Sequence, residues 1–419
     1  MLSTPQARPG PQVIPAPVLP PSYCLAMNKR QFLRSSAGLL PLALLPRTLF
    51  ATATTPGEFP DIRLIAAWRS LHDLGRDGAS RGARAEGATD YVGILAPDWQ
   101  QGLARIETAV AVPNRAHALL SDREGGFLVC ANRPGPWLMR CAADGEVLAR
   151  RVLEDEKSGR TLNGHAVFDP SGKWLYTTES EIGSTQGWVA VRRRDNLRKE
   201  AEFPTRGIEP HELLCDAEGK LVVANGGILR AAGDRKRDLE RMDSSLVRLD
   251  PNSGERLGQW WLNDPRLSLR HLALGSTPAA NGHTRVGVAL QAEHDDPAER
   301  AAAPILAVWN GDALEIPSRE TIGAGYCGDI ATGMDGGFYL SAERSHRVTR
   351  WHPAAPERLE VIAELNKAGA LAELPLDGTH AGLIGSPRGL GLWHPQRNPV
   401  LLRWPLEIAP DNHWVATRT

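Results

Sequence analysis

Residues 207–227 read GIEPHELLCDAEGKLVVANGG. Two short apolar runs, residues 213–215 and 221–224, lie on either side of a polar turn. Short apolar runs around a turn containing Asp and Gly predict a β-hairpin. His211 and Glu212 stand directly before the first predicted strand. A histidine is an unusual way to begin a strand, so the fold depends on whether this unit is repeated along the chain.

The unit is repeated at intervals of about 50 residues. Each copy places a histidine or aspartate before an apolar run, a Gly-containing turn and a second apolar run. These marker positions are His117, His165, His211, His271, Asp329 and His380. In the unit of His211, two further strand-like runs follow, SLVRL and LGQWW. Four strands in about 40–50 residues are typical of a propeller blade.

A seventh unit is split between the two ends of the chain. Residues 62–68, 90–95 and 104–109 read as three strands of a blade that lacks its first strand. The C-terminus would supply that strand, which closes the ring and leaves no exposed sheet edge. The sequence therefore predicts an all-β fold, a seven-bladed propeller of four-stranded blades that forms a single domain over residues 60–419.

The N-terminal region is predicted to be an export signal. Residues 27–53 contain the basic segment MNKRQFLR, an apolar stretch and the small-residue motif ATA, in that order. KRQFL resembles a twin-arginine (Tat) signal with lysine in the first basic position, so we expect a periplasmic protein. Pro-rich residues 1–26 are expected to be a disordered extension, or to precede the true start at Met27. A membrane anchor is the alternative, but the apolar stretch is shorter than the roughly 20 residues that a span needs.

Composition excludes several classes of function. With a net charge of −1 and a pI near 6.9, the chain offers no electrostatic support for binding nucleic acid or an anionic membrane. No CxxC motif occurs, which excludes zinc ribbons and c-type haem attachment. Cys130 and Cys141 form either a disulfide across a hairpin or a pair of free buried thiols. We expect a monomer with no transmembrane span after processing.

The marker residues are candidate metal ligands. The start of each innermost strand lies on one face of a propeller channel, so His117, His165, His211, His271 and Asp329 are predicted to converge there, with His380 as the sixth marker. Imidazole and carboxylate groups bind iron, copper or zinc. A structural role, in which each histidine holds its own blade together through hydrogen bonds, is the alternative, and the sequence leaves both open.

Polar residues beside the markers or on the second strands are candidate ligand-binding residues. They are Glu179, Glu212, Asn225, Arg230, Arg270, Gln291, Tyr326 and Glu343. The charged insert at residues 228–243 either covers the channel mouth or is a solvated loop. No nucleophile elbow, phosphate-binding loop or HExxH motif is present, so no catalytic residue is predicted and enzymatic activity stays undecided.

Several segments together resemble the bacterial domain-of-unknown-function family 1513. They are GIEPHELL, LVVANGGI, SLVRLDPNSGERL, LSLRHLAL and TLNGHAVFDPSGKWLYTTES, and the resemblance spans residues 60–395. It implies a seven-bladed propeller similar to YVTN proteins and to the β chain of quinoprotein amine dehydrogenase. It also implies export and a role near imelysin-type and other iron-uptake proteins. If the marker residues bind a metal, we expect that metal to be iron or copper.

Three hypotheses on function follow. The first is a non-catalytic periplasmic propeller that binds a metal, a metal chelate or a partner protein of an iron-uptake system at its histidine-lined face. The second is a metal-dependent enzyme, either an oxidoreductase or a lactonase-like hydrolase, with its site in the same channel. The third is a scaffold that binds only protein partners, through its loops.

Overall fold

The computed structural model of the protein describes residues 59–83 and 87–418. The predicted export signal at residues 27–53 and the extension at residues 1–26 lie outside this part of the chain. The described residues form seven antiparallel sheets of four strands each. Each innermost strand contacts the innermost strand of the next blade, and the last contacts the first. The predicted all-β, seven-bladed propeller is therefore confirmed.

The blades are numbered 1 to 7, beginning with the blade of His117 and ending with the split blade. The innermost strands, in blade order, are Ala116–Ser121, Arg160–Phe168, Pro210–Cys215, Leu267–Leu274, Asp329–Thr332, Leu371–Leu376 and Ile408–Arg418. The second strands are Phe127–Ala131, Trp174–Glu181, Leu221–Asn225, Val286–Ala292, Phe338–Ala342, Thr379–Ser386 and Ile62–Ser70.

The outer half of each blade completes the four-stranded sheet. The third strands are Trp137–Cys141, Gln186–Arg193, Ser245–Leu249, Leu306–Trp309, Arg347–Trp351, Gly389–His394 and Thr89–Asp98. The outermost strands are Val147–Val152, Lys199–Ile208, Arg256–Trp260, Leu314–Glu315, Leu359–Glu364, Arg397–Leu402 and Leu103–Val112.

Short additional elements lie between these strands. Two hairpins pair His72–Leu74 with Ser80–Ala83 and Arg230–Ala231 with Arg235–Lys236. The α-helix in the described part of the chain is Pro297–Ala302. The 3₁₀ turns are Leu153–Glu156, Ala232–Asp234, Leu239–Arg241, Met334–Gly336 and Glu343–Ser345. Among the described residues, no helix is long and apolar enough to cross a membrane.

The ring closes at blade 7 as predicted, because Ile408–Arg418 pairs antiparallel with Ile62–Ser70. The prediction for blade 6 was wrong by one strand. His380 lies on the second strand, Thr379–Ser386, and the innermost strand is Leu371–Leu376. A tight turn with positive φ at Asp377 and Gly378 joins these two strands, and a turn of this kind marks a hairpin without indicating which strand faces the channel.

Apolar packing between blades holds the ring together. Within the described residues, the buried apolar side chains fall into seven clusters, one at each interface between neighbouring blades. Leu221–Asn225 is buried along its whole length because blades 2 and 4 cover both of its faces, whereas none of Val147–Val152 at the rim is buried and half of its residues are exposed. The buried strands therefore read as continuous apolar runs rather than as alternating ones.

All four cysteines in the described part of the chain are free. Cys130 lies opposite Leu138 in the ladder of blade 1, and Cys141 lies opposite Phe127. The two thiols are therefore at different levels of the sheet. Of the two interpretations of Cys130 and Cys141, the structure shows the free buried thiols.

Candidate metal centre

Five innermost strands carry a histidine where a β-bulge interrupts their pairing with the second strand. These are His117, His165, His211, His271 and His413, on blades 1, 2, 3, 4 and 7. A bulge adds a residue to one strand and re-aims its side chains. In blades 5 and 6 the described innermost strands pair without a bulge and carry no histidine. The bulges therefore coincide with the blades that contribute an imidazole.

The five rings form a closed circuit in the channel, which we call the histidine cluster. In the order His413, His117, His165, His211, His271 and back to His413, neighbouring ring centroids lie 4.4–4.7 Å apart. Every ring except that of His211 offers one possible ligand atom to a shared site. These four atoms all lie within 4.8 Å of one another. Two nitrogens that bind the same ion at about 2.0–2.1 Å are at most about 4.2 Å apart. Each of the four rings would therefore have to move by less than about 1 Å for all four to bind one ion.

Four rings of the cluster are held in the neutral form. Burial, the largest cause, lowers the pKa of His117, His165, His211 and His271 well below the ordinary histidine value. Neutral imidazole is the form that binds metal ions. His413 differs, because burial favours its neutral form but the adjacent Asp329 outweighs burial and raises its pKa. Burial raises the pKa of Asp329 in turn, so this pair holds a proton readily.

A carboxylate oxygen faces Nδ1 of each of the four rings that could share an ion. The separations are 3.0 Å for Asp329 and His413, 3.4 Å for Glu212 and His271, 3.6 Å for Asp411 and His117, and 3.8 Å for Glu212 and His165. Such a carboxylate favours the proton on Nδ1 and leaves Nε2 to bind a metal. Nε2 of His165 and Nε2 of His413 are buried, with no hydrogen-bond partner in the described structure.

The alignment of these contacts varies from ring to ring. His413 donates a hydrogen bond to Asp329. Nδ1 of His117 and Nδ1 of His271 make no hydrogen bond within the described residues, so their carboxylate contacts are electrostatic only. Rotation of either ring by a small amount would complete the hydrogen bond. The donor set therefore fits a transition metal bound by neutral imidazoles.

His211 has the opposite surroundings. Nη1 of Arg133 and Nη1 of Arg270 each lie 3.4 Å from its Nδ1. The same two guanidiniums bind Glu209 at 2.8 Å and 3.0 Å. Where the other four rings face an anion, His211 faces two cations.

Glu209 is fully buried and gathers three guanidiniums, those of Arg133, Arg230 and Arg270. Burial by itself would raise the pKa of Glu209, but the three cations outweigh burial and lower the pKa to about 2. Arg230 belongs to the charged insert, and so does Asp234, which lies 3.3 Å from Arg133. The insert is therefore anchored beside His211 by charge pairs.

Two cavities lie along the channel, one on each side of the histidine cluster. A cavity of ≈ 410 Å³ is lined by Arg115 and Asn412, which precede His117 and His413 on their strands. A second cavity, of ≈ 370 Å³, is lined by Ala118 and Trp414, which follow the same two histidines. His165, Glu212, Asp329 and His413 also line the second cavity. Because these strands run from one cavity to the other, the cluster lies between them.

The structure separates the other predicted site residues into three groups. Glu212, Arg270 and Asp329 contact the histidine cluster. Arg230 is linked to the cluster indirectly, because it pairs with Glu209, which pairs with Arg270. Tyr326 and Glu343 line the 410 Å³ cavity at the channel mouth. The third group lies within the blades, away from the cluster: Glu179 pairs with Arg192, Asn225 donates to Thr205 and Ser245, and Gln291 donates to the carbonyl of Cys327.

The sequence prediction placed His380 in the ring and missed His413. His380 lies on a second strand, partly exposed, with its Nδ1 3.1 Å from Glu373. His413 occupies the equivalent place on the closing strand, inside the bulge of Asp411, Asn412 and His413. A signal was present in the sequence, because histidine precedes a hydrophobic residue in NHW of the closing strand as it does in RHL of blade 4.

Comparison with known proteins agrees with this architecture. Residues 110–417 match the family described as protein of unknown function (DUF1513). The chain belongs to this family. No curated protein matches it. The histidine cluster of this DUF1513 protein lies wholly within the matched residues, and so do Arg133, Glu209 and the charged insert.

Solved structures similar to the DUF1513 chain are propellers of low sequence identity. Hydrazine synthase of Kuenenia stuttgartiensis aligns with a TM-score of 0.51 and 14% identity, covering 77% of this chain and 94% of that chain. A catalytically inactive virginiamycin B lyase of Staphylococcus aureus, with quinupristin, gives 0.48 and 10%, covering 80% and 94%. A streptogramin B lyase gives 0.46 and 9%, covering 84% and 98%. At 14% identity, the similarity to hydrazine synthase shows the fold alone.

Proposed function

We propose that this DUF1513 protein is a metal-binding propeller that holds one transition-metal ion with His117, His165, His271 and His413. The observation that carries the proposal is the convergence of four imidazoles from four blades, with a carboxylate facing Nδ1 of each. A purely structural histidine would satisfy its hydrogen bonds within its own blade. Here Nε2 of His165 and Nε2 of His413 are buried without such a partner among the described residues.

The chemistry of the donor set limits the metal. Four imidazole nitrogens suit iron, copper, nickel or zinc and do not suit magnesium or calcium, which prefer oxygen ligands. His117, His165 and His271 are already neutral, and His413 binds the ion once it has lost its second proton. The predicted export signal and the iron-uptake role implied by the family resemblance make iron and copper the first ions to test. We propose that the protein works as a monomer in the periplasm, beside iron-uptake proteins.

We expect the mature chain to bind about one ion, and single alanine substitutions of the ligands to weaken that binding strongly. His165→Ala and His271→Ala are expected to lower affinity at least about a hundredfold, because changes even in groups that only support a ligand cost about 10–100-fold. Elemental analysis and competition titration with Fe(II), Cu(II) and Zn(II) measure both stoichiometry and affinity.

His380→Ala is the matched control for these variants. His380 is also a histidine near the start of a strand, but it lies outside the cluster. Its removal should leave stoichiometry and affinity unchanged. An unsubstituted protein that binds no metal, or an equal loss of affinity in all three variants, would contradict the proposal.

Gly164→Ala is expected to weaken metal binding by displacing His117. Gly164 has a φ of +96°, and a Cβ at this position would lie 3.0 Å from Cδ2 of His117. Gly183 has a φ of +93°, and a Cβ there would meet nothing within 4 Å. Both alanine variants should lose about 1–2 kcal/mol of stability through backbone strain. Metal affinity should fall in the Gly164 variant only, and equal titration curves for the two variants would show that Gly164 does not position His117.

A further inference from the structure

His211 belongs to the circuit of rings but differs from the other four in its hydrogen bonding. A guanidinium has only N–H donors and cannot accept a hydrogen bond. With Nη1 of Arg133 and Nη1 of Arg270 both 3.4 Å away, Nδ1 of His211 has to present its lone pair to them. An imidazole carries at least one N–H, so the proton of this ring lies on Nε2. A protonated Nε2 cannot bind a metal.

The other edge of the His211 ring lies among the proposed metal ligands. Its centroid is 4.5 Å from that of His165 and 4.7 Å from that of His271. Since Nδ1 faces Arg133 and Arg270, the edge that carries Nε2 is the one available to the histidine cluster. The Nε2–H donor of His211 therefore lies on the side of its ring that faces His165 and His271, two of the proposed ligands.

The charges on this side of the cluster favour an anion. Arg133, Arg230 and Arg270 face two carboxylates, those of Glu209 and Asp234, which leaves one positive charge in excess. Nε of Arg270 is buried and has no hydrogen-bond partner in the described part of the chain. Arg270 is itself almost fully buried, with 2% of its surface exposed. A buried cation with an unpaired donor is stabilised by an anionic ligand nearby.

We propose that His211 is a positioning residue that donates Nε2–H to a small anion bound on the metal, on the side where Arg133 and Arg270 lie. The ligand class is a monoanion with an oxygen or nitrogen donor atom, such as hydroxide, a carboxylate or azide. This inference rests on the proposed four-histidine metal site. It gives the five rings two functions: four bind the ion, and one, together with the arginines, selects what the ion binds.

Azide is the probe that tests this role, because its binding to Cu(II) or Fe(III) produces a charge-transfer band. The full mature chain is loaded with Cu(II) and titrated with azide, alongside His211→Ala and His211→Gln. We expect His211→Ala to keep one metal ion per chain and to bind azide about 10–100-fold more weakly, the effect of a hydrogen bond to a charged group. His211→Gln retains an N–H donor in a similar place and should restore most of the azide affinity.

The outcomes separate this inference from the proposed function. If the unsubstituted chain binds no metal, the metal site itself is refuted. If it binds metal and His211→Ala loses metal as His271→Ala does, His211 is a ligand and the inference is overturned while the metal site stands. Retained metal with unchanged azide affinity also overturns it. Should His211→Ala fail to fold, His211→Leu, which fills the space without an N–H donor, takes its place: retained metal with azide bound about 10–100-fold more weakly supports the donor role, and metal loss or unchanged azide affinity overturns it.

Discussion

Replacing Glu209 by glutamine is expected to lower the free energy of unfolding by about 3–5 kcal/mol, because it leaves three buried guanidiniums with too little negative charge. Arg133, Arg230 and Arg270 lie 2.7–3.0 Å from one carboxylate oxygen of Glu209. The three guanidiniums lower the pKa of Glu209 to about 2, so this carboxyl is ionised at neutral pH. Glutamine has the same shape, so the loss measures the charge rather than the packing.

Urea unfolding at pH 7 measures this effect, with Glu218→Gln as the matched control. Glu218 also pairs with an arginine, Arg248, at 2.9 Å, but its side chain is 54% exposed. An exposed pair contributes at most about 1 kcal/mol, so the control should unfold almost like the unsubstituted protein. If both variants lose the same small amount, the buried arginines do not depend on Glu209.

The metal-free protein is expected to lose stability steeply on acidification below pH 6.5. His117, His165, His211 and His271 have folded-state pKa values well below their unfolded value of about 6.5. Below pH 6.5 these histidines take up protons in the unfolded chain but not in the folded protein. Each further drop of one pH unit therefore lowers the free energy of unfolding. Four such groups give a slope of up to about 5 kcal/mol per pH unit.

His413 acts in the opposite sense. Its folded-state pKa is raised, so its contribution is fully present below pH 6.5 and is lost as the pH rises through the folded value. His413 therefore adds nothing to the loss of unfolding free energy per pH unit below pH 6.5. Below about pH 4.5, the lowered pKa of Glu209 adds a further loss, which continues down to pH 2.

Urea unfolding in steps between pH 7 and pH 5, with the metal removed, tests this prediction. The double variant His117→Gln, His271→Gln removes two of the four titrating rings and should show about half the slope. A free energy of unfolding that stays level from pH 7 to pH 5 would mean that the rings are protonated in the folded protein. It would also weaken the case for a site built from neutral imidazoles.

The repeat made most of the fold predictable. The hairpin around His211, its five relatives and the three strands without a partner at the N-terminus together predict seven blades and the closure of the ring. The relatives are the units of His117, His165, His271, Asp329 and His380. Each of these signals is local: an apolar run, a turn with Gly or Asp, and a second apolar run. Blade 6 was misassigned because its two strands on either side of Gly378 fit the pattern equally well in either register.

The site was only partly predictable. Three of the four proposed ligands follow from the repeat, while His413 depends on a bulge in the closing strand that pairing with Ile62–Ser70 defines. Glu212 was predicted as a neighbour of His211, yet its contacts are with His165 and His271 on the two adjacent blades. Glu209 carried no sequence signal at all, because its importance comes from the arginines that surround it.

The sequence by itself determined the propeller, its closure and the presence of a histidine near the start of most innermost strands, since strand and turn preferences act between residues close together in the chain. The tertiary structure alone decided which histidines meet and which nitrogen each one presents. Those choices depend on bulge register and on charges supplied by other blades, such as Asp411 facing His117 and Arg133 facing His211. Charges act through space over a few ångströms, and the chain places these partners from about 80 to 300 residues apart.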